Sequence, residues 1–123
     1  MKRINTEAAP AAIGPYSQGF VAGDFIWTSG QIPLSPKTGE VVGSNITEQA
    51  EQCVANLKAV LEAGGSSLAK VIKTTCFLAD MSDFAAFNEV YTRHFPGNPA
   101  RSCIAVKTLP RNVLCEIEAV AEA

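Results

Sequence analysis

The period of the hydrophobic positions changes several times along the chain, and each change marks an element. In "GFVAGDFIWTSGQI", two apolar, β-branched runs flank Gly23-Asp24, which predicts two strands folded about a tight hairpin turn. A short strand near Lys2–Asn5 precedes them, separated by "AAPAAIGPYSQGF", whose Ala, Pro and Gly content predicts an ordered loop. "PLSPKTGEVVGS" is a second loop with its own turn at Pro36–Gly39. From Asn45 or Thr47 the period becomes helical. Ile46, Ala50, Cys53, Val54, Leu57, Val60 and Leu61 share one face, and Gly64-Gly65 stops the helix.

"AKVIKTTCFLAD" returns to strand. A second helix is expected from near Ser82, with Phe84, Phe87, Tyr91 and Phe95 inward and Pro96-Gly97 beyond its end. "NPARSCIAVKTLPRNVLCEIEAV" then reads as two strands joined by a Pro-containing turn. The order β-β-β-α-β-α-β-β predicts an α+β fold, residues 1–123 forming one domain, with two helices covering one face of a sheet.

The other face needs a cover as well. In the last strand Val113, Cys115, Ile117 and Ala119 form an apolar row suited to lie under the helices. Leu114, Glu116, Glu118 and Val120 form the opposite row. In the middle strand, strict alternation groups Phe77 with Val71, and Ile72 with Cys76 and Leu78. Apolar side chains on both faces predict that the second face packs on further copies of the chain.

Composition narrows the chemistry. The 123 residues are 47% hydrophobic and 18% charged, as expected of a folded globule, and the net charge of −2 argues against a general nucleic-acid binder. Cys53, Cys76, Cys103 and Cys115 form no CxxC pair and His94 is the only histidine, so no thiolate–imidazole metal site is expected. There is no phosphate-binding glycine loop or evident cofactor-lysine motif, and no cofactor is expected. Nothing reads as a secretory signal or a membrane span, which makes a reducing cytoplasm the expected compartment.

Arg101 and Glu116 are the charged residues whose placement asks for an explanation. Arg101 starts a strand whose alternation groups it with Cys103. If the last two strands form a direct hairpin, Arg101 and Glu116 lie opposite each other; a third strand between them would separate the pair. The arginine then either forms a structural ion pair or binds an anion, since its planar fork matches a carboxylate. Tyr16 sits in the Gly/Pro-rich "IGPYSQG". Ser29-Gly30 ends a strand, where the glycine either permits close approach of a ligand to the backbone or marks a bulge. Asn88 falls among inward aromatic residues, as a satisfied core amide or a pocket wall.

Together "AAIGPYSQG", "TSGQIP", "TGEVV", "QAEQCVANLKAVLEAGG", "VIKTTCFLADMSDFAAFNEVY" and "PARSCIAVKTLP…EIEAVA" resemble the reactive intermediate deaminase A family, RidA or YjgF, over nearly the whole chain. The resemblance implies a chorismate-mutase-like fold assembled as a homotrimer, with clefts between subunits. It implies cofactor-independent hydrolysis of small 2-imino acids and their enamine tautomers, such as 2-aminoacrylate, to 2-keto acids and ammonia. The supply would come from pyridoxal-phosphate-dependent dehydratases. Arg101 matches the carboxylate-binding arginine and Glu116 the glutamate beside the hydrolytic water. Tyr16, Ser29, Gly30, Asn88 and the backbone of Cys103 match pocket residues, Tyr16 coming from a neighbouring subunit. The chain departs from the family pattern in "RHFPGNPARS", one residue shorter than usual, and at Cys115, where a branched aliphatic is common. Rival readings are a keto-acid-binding regulator without turnover, and an RNA-cleaving translation inhibitor.

Overall fold

The helical face beginning at Ile46 is buried along its length. Helix α1 (Ile46–Ala63) puts all seven of the predicted apolar residues into the core. Its start is closed by side chains: Asn45 accepts from the Glu48 backbone N–H at 2.9 Å, while the Glu48 carboxylate accepts from Ser44 N–H at 3.0 Å. At the other end the Gly64 and Gly65 N–H groups bond back to Val60 and Glu62, with Gly65 at φ +89°. The computed structural model describes residues 1–123.

Six strands form one sheet in the order β1-β2-β3-β6-β4-β5, with β1 Lys2–Ile4, β2 Gly19–Ala22, β3 Phe25–Thr28, β4 Val71–Leu78, β5 Ala100–Ala105 and β6 Cys115–Glu122. The β2–β3 hairpin turns at Gly23-Asp24 as the sequence predicts, Gly23 taking φ +59°. Helix α2 (Phe84–His94) starts later than expected, after a 3-10 turn at Met81–Asp83 whose Ser82 N–H is accepted by the Asp80 side chain at 2.8 Å. Its Phe87 and Tyr91, with Phe95 just beyond, complete the core against α1.

The last two strands are not a hairpin. β6 runs antiparallel between β3 and β4, and β5 lies outside β4 in parallel with it, so the third-strand alternative is the observed one. The physical cause is the α2 crossover: a chain that leaves β4 through a helix returns parallel to it. The central strand then goes to the segment carrying the Cys115, Ile117, Ala119 and Ala121 row, all buried.

Strict alternation fails once. The register slips by one residue between Val71 and Lys73, so Val71 joins Thr74, Cys76 and Leu78 on the helix side, while Ile72 is left exposed. The expected grouping of Val71 with Phe77, and of Ile72 with Cys76, is therefore reversed by a bulge. Cys115 fits beside a second small side chain: its Sγ lies 3.6 Å from that of Cys53 on α1. On the open face, Trp27 and Ile104 remain half exposed near Phe77 and Val120. No helix is long and apolar enough to cross a membrane.

Candidate active site in two halves

Glu116 lies on the open face, one residue from Ile117, whose backbone exchanges hydrogen bonds with Gln31 at 2.8 and 3.1 Å. Between the Trp27–Val120 and Gln31–Ile117 pairs the β3 side carries one extra residue. Within this irregularity the Thr28 hydroxyl, instead of a backbone carbonyl, accepts from Ala119 N–H at 3.0 Å. The detour lays Gly30 directly against the Glu116 carboxylate: a Cβ there would overlap Oε2 and come within 2.8 Å of the carboxyl carbon. Glycine at this position is thus a matter of space.

The Ser29 hydroxyl donates to the Ser17 carbonyl at 2.5 Å, fastening the Tyr16 loop to the end of β3. Buried Gln18 secures the same loop from behind, receiving Thr6 N–H at 2.7 Å and donating to the Thr6 and Pro10 carbonyls. Tyr16 itself stays half exposed. Tyr16, Ser29, Gly30 and Glu116, with Ile13, Ile32, Pro110 and Glu118, line an open cleft of about 550 Å³. Burial, and then the nearby Glu118 charge, push the Glu116 carboxyl above the usual glutamate range.

The arginine half lies elsewhere. Arg101 is in register with Thr74, on the helix-covered side of the sheet, and its guanidinium reaches α2. Nη1 donates to Asn88 Oδ1 at 2.7 Å, while Cζ sits 4.7 Å from the Tyr91 ring centroid and 5.5 Å from that of Phe84. Asn88, Tyr91, Thr92, Asn98, Pro99 and Arg101 line a separate cleft of about 340 Å³.

Arg101 has no carboxylate partner. The ion pairs of the chain both go to Glu51, from Arg93 at 2.7 Å and His94 at 2.9 Å. Within one chain no structural Arg101–Glu pair forms, so of the two readings the sequence left open the ion pair inside the sheet is excluded.

Cys103 is half-buried, on the same side as Arg101 and in register with Cys76. The neighbouring Cys76 thiol, and then the Arg101 charge, bring its pKa down to about 7. No group of three or more His, Cys, Asp or Glu side chains is placed to hold a metal ion.

The sequence-derived residues therefore divide into Tyr16, Ser29, Gly30 and Glu116 in one cleft, and Asn88, Arg101 and Cys103 around another. The resemblance set Tyr16 apart as the contribution of a neighbouring subunit; within one chain Tyr16 groups with Glu116, and it is Arg101 that stands apart. Sequence reasoning missed Gln18, Tyr91 and Thr74. Tyr91 was legible only as a core aromatic, and nothing in the local pattern tied it to Arg101.

Comparison with known proteins gives the family and agrees with the fold. The family described as Endoribonuclease L-PSP matches residues 6–123. The chain is 51% identical over 124 residues to the 2-iminobutanoate/2-iminopropanoate deaminase of Escherichia coli, covering 98% of this chain and 96% of that protein. The chain belongs to the RidA/YjgF family. Another relative, RutC family protein PH0854 of Pyrococcus horikoshii, is 54% identical over 119 residues, 96% of this chain and 94% of its own length. Among solved structures, a putative endoribonuclease of Thermotoga maritima superposes with a TM-score of 0.97 at 52% identity, covering 100% of this chain and 98% of its own. E. coli TdcF with bound serine does so at 0.95 and 45%, covering 100% and 99%.

Proposed function

We propose that this RidA/YjgF protein hydrolyses small 2-imino acids, and the enamines in equilibrium with them, to 2-keto acids and ammonia without a cofactor. The observation that carries the reading is the guanidinium of Arg101, held in a cleft without any carboxylate to neutralise it. Such a group suits the carboxylate of a small acid, bound through two charge-assisted hydrogen bonds. An E. coli relative named as a 2-iminobutanoate/2-iminopropanoate deaminase, and another solved with serine bound, support an α-substituted carboxylate as ligand.

Arg101 and Glu116 face opposite sides of one sheet, so a site using both is assembled between copies. The Arg101 half of one copy meets the Tyr16–Gly30–Glu116 half of its neighbour, in a homotrimer closed through the open sheet face. The exposed Trp27 and Ile104 on that face favour such an assembly. Arg101 anchors the carboxylate, and Tyr16 and Gly30 shape the wall around the reacting carbon. The ionised Glu116 takes a proton from water as the oxygen adds to the protonated imine carbon. Protonated Glu116 passes that proton to the amine nitrogen of the resulting carbinolamine, ammonia departs, and the hydroxyl proton goes to solvent as the C=O of the keto acid forms. The iminium is already electrophilic, so positioning and one proton relay are the protein's contributions. Dehydratases that use pyridoxal phosphate would supply the substrate, in a reducing cytoplasm.

A coupled assay generating 2-aminoacrylate or 2-iminobutanoate in situ tests the reading. Keto acid release should accelerate in proportion to added protein. Saturable keto-acid binding with no acceleration would establish the regulator reading instead, and salt-sensitive RNA cleavage the nuclease one.

A further inference from the structure

Arginine side chains are long and flexible, and most are held in place by a carboxylate that also cancels their charge. Arg101 is held without one. Its Nη1 donates to the neutral Asn88 amide, the only hydrogen bond the guanidinium makes within the chain, and Cζ lies 4.7 Å from the Tyr91 ring centroid. Tyr91 cannot drift: its hydroxyl is 2.6 Å from Thr74 Oγ1, both groups are buried, and its ring stacks on Phe95 with centroids 4.4 Å apart. Thr74 is also the β4 residue in register with Arg101. Tyr91 is thus pinned to the position beside the arginine's own backbone and lays its ring under the arginine's head. Asn88, one helical turn earlier on α2, supplies the second contact.

We propose that Tyr91, fastened by Thr74, and Asn88 are positioning residues that orient the Arg101 fork by charge-neutral contacts and leave its full charge for the substrate carboxylate. A ring face and an amide oxygen attract the cation without supplying a counter-charge. An aspartate in place of Asn88 would hold the guanidinium more strongly and yet compete with the substrate for it. Pre-ordering the fork also removes the ordering cost that binding would otherwise incur. The proposal rests on Arg101 as carboxylate anchor.

Asn88→Asp gives the deciding test, because it conserves shape and adds only charge. Binding of 2-ketobutyrate and of its amide, which lacks the carboxylate, is followed by calorimetry, alongside kcat and KM for 2-iminobutanoate. Asn88→Asp should weaken 2-ketobutyrate by about tenfold or more while the amide changes little, with a melting temperature equal to the parent's or higher. Tyr91→Leu should raise KM more than it lowers kcat, and Tyr91→Phe, which keeps the ring, should recover most of that loss. If Tyr91→Leu does not fold, Thr74→Val, a small change that removes the fastening, should still raise KM with kcat nearly kept. Parental affinity for 2-ketobutyrate in Asn88→Asp would overturn the proposal, as would equal loss for the acid and the amide. The two levels separate cleanly. Parental hydrolysis by Arg101→Lys removes the anchor itself, whereas an inactive Arg101→Lys beside an unaffected Asn88→Asp removes only the neutral cradle.

Discussion

Arg101 and Glu116 point away from each other through the sheet. Arg101 pairs with Thr74 and turns toward α2, whereas Glu116 pairs with Phe77 and turns to the open face against Gly30. One strand, β4, lies between the strands that carry them. Neither cleft of a single chain contains both.

Complementation tests a site shared between copies. Arg101→Ala and Glu116→Gln should each be nearly inactive alone. Unfolded together and refolded as mixed assemblies, they should regain activity, because some clefts then receive Arg101 from one variant and Glu116 from the other. Light scattering should give a trimer for the parent and for the mixture. A stable monomer at micromolar concentration, or a mixture as inactive as its components, would rule out the shared site.

Arg101→Ala and Arg101→Lys should both keep the fold, since the side chain is partly exposed and carries no ion pair. Both should lose most imine hydrolysis, Lys because it retains the charge without the planar fork. Circular dichroism and melting curves close to the parent's, beside kcat/KM reduced by about a hundredfold, are expected for an anchor making two charge-assisted bonds.

Gly30→Ala should harm function more than folding. The added methyl overlaps the Glu116 carboxylate, so either that side chain or the bulge beside β6 must move. A destabilisation of about 1–3 kcal/mol is the usual cost of such overpacking. Hydrolysis should fall further than that loss explains, because the displaced group is the proposed base. Urea melts and initial rates on the same preparation separate the two effects.

The acid limb of the pH profile should lie above the ordinary glutamate value of 4.5, because burial first and Glu118 second hold the proton on Glu116. Glu118→Gln should move the limb toward lower pH by removing the second cause, leaving the part due to burial. The stability sign follows from the same shift. A carboxyl whose folded pKa is raised favours the folded state below 4.5 and loses that advantage as pH rises through the raised value. Glu116→Gln should therefore melt higher than the parent at neutral pH and nearly alike in acid. A limb near that of a free carboxylate, unmoved by Glu118→Gln, would contradict the environment assigned to Glu116.

Much of this was legible in the order of residues. Helix α1 was, because its seven apolar positions and its Gly64-Gly65 stop are local signals that burial merely completes. So were the Gly23 hairpin and the two rows of β6, which depend on period alone. The candidate site residues were named from motifs, which give residue type and are silent as to direction. What only tertiary structure decided is which strands are neighbours and which way each side chain faces. The α2 crossover made β5 parallel to β4 and removed the Arg101–Glu116 ladder pair, and one bulged residue at Ile72 reversed the faces of Val71 and Ile72. Local pattern gives a strand two faces, but pairing partners and bulges lie far apart in sequence, and they determine which face meets the helices and which is left open.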